Sequence, residues 1–90
     1  MAAPFEALSA LDMRVHEPAR LAILTALSEC RACDFVFLRS VTALTTGNLS
    51  NHLQKLEAGG LVAVEKRFRG KVPQTWIQIT AKGRTTIDRY

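Results

Sequence analysis

Asn48, Ser50, Asn51, Gln54 and Lys55 crowd into one short run, and their side chains are of the kind that read the polar edge of a planar ring. An asparagine or glutamine amide presents a donor beside an acceptor, which matches adenine in the DNA major groove, while serine and lysine suit guanine or a phosphate. On a helix, at about 100° per residue, Gly47, Asn51 and Gln54 point one way and Asn48, Ser50 and Lys55 flank them. The opposite side holds Leu49, Leu53 and Leu56, spaced i, i+4, i+7 as one narrow apolar stripe. Gly47 would let the start of such a helix approach a duplex closely, where its unpaired N–H groups can meet a phosphate. The competing account is a merely solvated helix face. Against it, Asn48, Ser50 and Asn51 are poor helix formers, so something other than helix stability placed them together.

A second constellation lies downstream. Lys66, Arg67, Arg69 and Lys71 fall within six residues around Gly70, more cations than a turn needs for solubility. Laid along phosphates they would fix register without reading sequence; the alternative is a charged edge that discourages strand addition. The charge of the whole chain leans the same way. Residues 1–45 carry four basic and five acidic groups, whereas residues 46–90 carry eight basic and three acidic ones, so the net +4 belongs to the C-terminal half. Such asymmetry is an expected footprint of a polyanion-binding face.

Other reactive residues offer less. Cys30 and Cys33 form a Cys-x-x-Cys, half of a zinc site or a redox pair, but His16 and His52 add no recognisable four-ligand spacing. They read more simply as small, partly buried residues than as redox or metal sensors. His52 lies about 60° from the leucine stripe, which suits a half-buried packing residue better than a catalyst. No nucleophile–base pair, paired carboxylate or phosphate-cradling glycine loop occurs, so neither an enzyme nor a cofactor or metal site is expected.

Positioning these residues requires a frame, and the apolar spacing supplies one. A first helix is expected from about Glu17 to Cys30, with Pro18 in its first turn and Leu21, Leu24, Leu27 and Ile23 inward. Phe5 to Leu11 gives a weaker signal for a short helix before it. Asp34 is a plausible N-cap for a second helix near residues 35–43, with Phe35, Leu38 and Val41 at spacing three. Thr45 or Thr46 caps the leucine-striped helix at 46–58, and Gly59-Gly60 stop it. From Leu61 the period changes to two: Val62, Val64 and Phe68 on one strand, Ile77 and Ile79 on the next, with a loop at Arg69-Gly70-Lys71-Val72-Pro73 between. Trp76 and Phe68 should cover the base of that hairpin, the alternative being an exposed aromatic that serves a dimer or ligand surface. Thr80 then caps a last helix. The order is helix, helix, helix, strand, strand, helix: an α+β, mainly α, winged helix-turn-helix layout. It should fill residues 1–90 as a single domain, since 48% apolar and 22% charged residues suit an ordinary soluble globular chain. No basic-then-apolar leader and no long apolar run occurs, so a cytoplasmic chain off the membrane is expected.

The run from Leu44 to Val62, LTTGNLSNHLQKLEAGGLV, closely resembles the recognition-helix segment of MarR/ArsR-like winged-helix transcriptional regulators, most of all their short single-domain branch. HEPARLAIL at 16–24 looks like their first core helix, and PQT at 73–75 with ITAKGR at 79–84 like their wing exit and final helix. The resemblance implies a homodimer on double-stranded DNA. Thr46, Gly47, Asn48, Ser50, Asn51, Gln54 and Lys55 would enter the major groove, and the wing at 66–72, carrying Lys66, Arg67, Arg69 and Lys71, would lie on phosphates. Dimerisation would draw on Phe5 to Leu11. Two other readings stand beside this one: a winged-helix protein–protein adaptor, and a sensor switched by a small-molecule effector whose identity the sequence does not name.

Overall fold

The computed structural model describes residues 18–89, so the expected helix at Phe5 to Leu11 and its role in dimerisation lie outside the described residues. Within them the chain forms α1 (Pro18–Cys30), β1 (Ala32–Asp34), α2 (Phe35–Thr42), α3 (Thr46–Ala58), β2 (Val62–Arg69), β3 (Val72–Ile79) and α4 (Ala81–Arg89). This is the expected winged helix-turn-helix with one strand added.

The buried stripe of α1 is Arg20, Ile23, Leu24 and Leu27, at i, i+3, i+4, i+7. Leu21 stands at the margin, half-buried, and the buried arginine takes the place expected for it. Arg31 then turns the chain at φ 66°, its N–H donating to the Leu27 carbonyl at 2.7 Å. That reversal delivers β1, which the sequence reading missed. Three residues are too few to show an alternating pattern, but Cys33 is buried opposite Ile77.

Asp34 caps α2, its Oδ1 accepting from the Phe37 N–H at 2.8 Å. The helix ends at Thr42 because Ala43, expected inside it, takes the left-handed conformation at φ 59°. Only Leu38 of this helix is fully buried; Val41, expected inward, is 51% exposed. A turn of three residues, 43–45, leads into α3. Thr45 is its N-cap, the hydroxyl accepting from the Asn48 N–H at 3.2 Å, and Leu49, Leu53 and Leu56 are its buried stripe, as the spacing predicts. At the far end Gly60 rather than Gly59 takes the left-handed position, with φ 76°. The Gly60 and Leu61 N–H groups return to the Glu57 and Leu56 carbonyls, both at 2.9 Å. This double closure satisfies carbonyls that the helix end leaves orphaned and drives Leu61 into the core.

The hairpin is longer and tighter than expected. Residues Arg69 and Val72 are still paired, so only Gly70 and Lys71 form the turn, with Gly70 at φ 65° in the first central position. Val72 and Pro73, expected in the loop, belong to β3. Pro73 is tolerated there because β1 pairs only with residues 76–78, leaving that edge of β3 open beside it. The sheet order is β1-β3-β2, all antiparallel.

Thr80 caps α4: its hydroxyl accepts from the Gly83 N–H at 3.0 Å and donates to the Gly60 carbonyl at 2.6 Å. One side chain thus ties the start of α4 to the end of α3. Ile23, Leu24, Leu27, Leu38, the α3 leucines, Leu61, Val62, Ile77 and Ile79 share one core, which buries the inner face of α3.

Candidate nucleic-acid interface

With its leucines buried, α3 turns the rest of itself to solvent. Thr46, Gly47, Asn48, Ser50, Asn51, Gln54 and Lys55 are all exposed, as their spacing requires. His52, on the flank, is half-buried and accepts at Nδ1 from the Arg20 Nε–H at 3.3 Å. That bond joins the first helix to the reading helix.

Between α3 and the hairpin runs a groove of about 370 Å³, walled by Thr46, Ser50, Gln54, Glu57, Lys66 and Thr75 over Phe35, Leu53 and Val64. Four of the anticipated residues, Thr46, Ser50, Gln54 and Lys66, therefore share one concave surface. Gly47, Asn48, Asn51 and Lys55 lie on the exposed helix beside it rather than in its wall. Lys66 is steadied by donating from Nζ to the Thr75 hydroxyl at 3.2 Å.

Strand alternation separates the hairpin cations. Lys66 shares a face with Val62, Val64 and Phe68, whereas Arg67 and Arg69 point to the opposite one, and Lys71 sits in the turn. Arg67 ion-pairs with Glu65 and lies over the Trp76 ring, 5.0 Å from its centroid. Trp76 is half-buried on that outer face, while Phe68, expected to cover the hairpin base, stands 73% exposed near the tip. The physical reason is length. The core reaches up β2 only to Val64, and a ladder running on to Arg69 carries Phe68 beyond anything it could pack against.

Two residues escaped the sequence reading. Arg39, counted only as a charge of the acidic half, donates from Nη1 to the Thr46 hydroxyl at 3.1 Å and so brings another cation to the start of α3. Its place in the last turn of α2, just before a tight turn, was the available signal. Glu57 puts a carboxylate into the groove wall, where a polyanion would meet repulsion. Asp34 has a second role as well: besides capping α2 it accepts at Oδ2 from the Gln74 Nε2–H at 2.9 Å, tying the helix-turn-helix to the hairpin.

The cysteines stand apart. Cys30 is exposed at the end of α1 and Cys33 is buried in β1. Burial first, then the neighbouring Cys30 and Asp34, push the Cys33 thiol from its ordinary 9.0 up to about 12. A thiol so protonated at neutral pH is a poor nucleophile and a poor metal ligand.

A helix-turn-helix with its reading face bare, followed by a basic two-strand hairpin, is an arrangement for holding a duplex, and known proteins share it. Residues 19–90 match the family described as winged helix DNA-binding domain. The chain belongs to that family. An uncharacterized protein of Methanocaldococcus jannaschii is 42% identical over 72 residues, covering 79% of this chain and 77% of its own length. A transcriptional regulator homologue of Pyrococcus horikoshii OT3 superposes with a TM-score of 0.85 at 31% identity, over 99% of this chain and 86% of that one. The transcriptional repressor PagR of Bacillus anthracis shares the fold, with a TM-score of 0.68 at 20% identity over 99% and 98% of the two chains. This winged-helix protein is a DNA-binding transcriptional regulator. Among the described residues, no helix is long and apolar enough to cross a membrane.

Proposed function

We propose that this winged-helix chain, residues 1–90 as one domain of the MarR/ArsR-like kind, is a cytoplasmic, sequence-specific regulator that binds an inverted repeat as a homodimer. α3 enters the major groove, where Asn48, Asn51 and Gln54 read base edges and Ser50 and Lys55 meet bases or neighbouring phosphates. Thr46 and Gly47 bring the helix start against the backbone. Lys66, Arg67, Arg69 and Lys71 supply affinity that is indifferent to sequence. The observation that carries this reading is the joint surface of α3 and the hairpin, where Thr46, Ser50 and Gln54 face Lys66 across one groove. Because the reading face of α3 holds a single charge, Lys55, most of the electrostatic attraction falls to the wing.

Two-fold symmetry implies half-sites roughly 34 Å apart, one turn of the duplex. Selection of bound sequences from random DNA by the full chain should return such a repeat, and light scattering should give a dimer. A complex contacting about 6 to 10 phosphates should lose roughly 10³- to 10⁵-fold in affinity between 50 and 200 mM salt. If low-salt gel shifts showed no retarded duplex, or if replacing Arg69 and Lys71 together by alanine left the salt dependence unchanged, the adaptor reading would replace this one. A monomer at micromolar concentration would remove the inverted repeat.

A further inference from the structure

Phe68 has the largest exposure among the large apolar side chains of the described residues, 73%, and it occupies a place where a fold has no use for a phenyl ring. Alternation along β2 puts it on the side of Val62, Val64 and Lys66, the side that faces α3 across the groove. Phe68 stands two positions beyond Lys66, about 7 Å further along the strand toward the turn. Its register partner is Pro73, so the tip of this face is apolar on both strands. Around it the cations are divided: Lys66 on the same face, Arg67 and Arg69 on the other, Lys71 in the turn. A hairpin meant to lie flat on one phosphate row would gather its cations on one face. One with an apolar tip and cations to either side fits a slot with a phosphate row on each rim.

The minor groove of DNA is such a slot, and apolar side chains inserted there part the stack at a base step. We infer that Phe68 is a minor-groove wedge, entering beside the major-groove contact of α3 and partly unstacking one base step in each half-site. Its preference is then for deformability. Pyrimidine–purine steps, which part most easily, are favoured under the wing although no side chain there reads a base edge. The inference rests on the DNA-binding reading above. A second copy of the chain is a poorer occupant, because apposed hairpins would bring two sets of the same cations together.

The test uses duplexes recovered by the full chain from random-sequence DNA, with 2-aminopurine placed in turn at each step flanking the α3 contact. Wild-type protein should raise the fluorescence at one step per half-site. Phe68→Ala should abolish that rise and weaken binding about tenfold, with the slope of affinity against salt unchanged, while Phe68→Leu should keep part of both. Arg69→Ala should instead lower the salt slope by about one and leave the fluorescence in place. Binding of Phe68→Ala within twofold of wild type, with the rise intact, would overturn the wedge. So would a shift of the DNA-free protein from dimer to monomer in sedimentation of Phe68→Ala, which would assign the ring to a second copy. Failure of wild type to bind any duplex at 50 mM salt would overturn the DNA reading and the wedge with it, an outcome distinct from both.

Discussion

At the scale of single residues, the surface around α3 mixes groups that attract a duplex with groups that repel it. Glu57 faces the groove from α3 across from Lys66. Unit charges about 8 Å apart in a water-like medium interact by on the order of 0.5 kcal/mol, so Glu57→Gln should tighten binding to all duplexes about twofold to threefold at low salt. Fluorescence anisotropy would show it, and the gain should vanish at high salt. Asn51→Ala should act differently, costing about 1 to 3 kcal/mol of discrimination at one base position and little elsewhere. The α3 residue types were legible from sequence because a polar, nearly uncharged outer face opposite a leucine stripe is costly for a helix without a task. Arg39 was not legible: its value lies in reaching Thr46, a contact that depends on how tightly the turn at 43–45 folds back.

Cys33 gives a residue-scale test of the core. Its thiol ionises at about 12 in the folded chain against an ordinary 9.0. The folded state therefore holds the proton more tightly, so this contribution to stability is complete below about pH 9 and is lost as pH rises toward 12. Urea midpoints should fall over that window, and Cys33→Ala should flatten the fall while lowering the neutral-pH midpoint through lost packing. A thiol reagent at pH 8 should modify the exposed Cys30 and spare Cys33 until the chain unfolds.

At the scale of elements, the helices were readable where caps and apolar spacing agreed, as at Asp34, Thr45 and Thr80. The end of α2 was misread because Ala43, a non-glycine residue, takes a left-handed conformation. β1 was invisible because Cys33 alone of its three residues turns inward, and the hairpin was misjudged because a proline usually marks a loop while an open strand edge accepts one. The packing of α4 supplies the sharpest element-scale prediction. A Cβ on Gly83 would collide with the Leu61 carbonyl oxygen, against backbone that α3's terminal turn holds in place. Gly83→Ala should destabilise the fold by the upper end of the overpacking range, about 3 kcal/mol, measured by urea unfolding. A loss below about 0.5 kcal/mol would show that α4 can slide along the α3–β2 corner.

At the scale of the whole molecule, the reading helix and the wing are separate elements whose relative pose decides whether both reach one duplex. The Asp34–Gln74 bond spans that division at the N-cap of α2. Gln74→Ala removes a half-exposed amide and should leave the unfolding midpoint nearly unchanged. It should still weaken DNA binding severalfold, because a hairpin free to swing loses orientational freedom on docking. Equal affinity with unchanged salt dependence would show that the sheet alone fixes the wing.

The same carboxylate sets a rule for exchanging parts between related regulators. Asp34 closes the first turn of one element with one oxygen and holds the other element with its second. Hairpins transplanted from a relative lacking glutamine at position 74 would leave that oxygen facing water, and a replaced second helix would strand the glutamine. A chimera should therefore inherit its donor's operator preference only when residues 34 and 74 travel together.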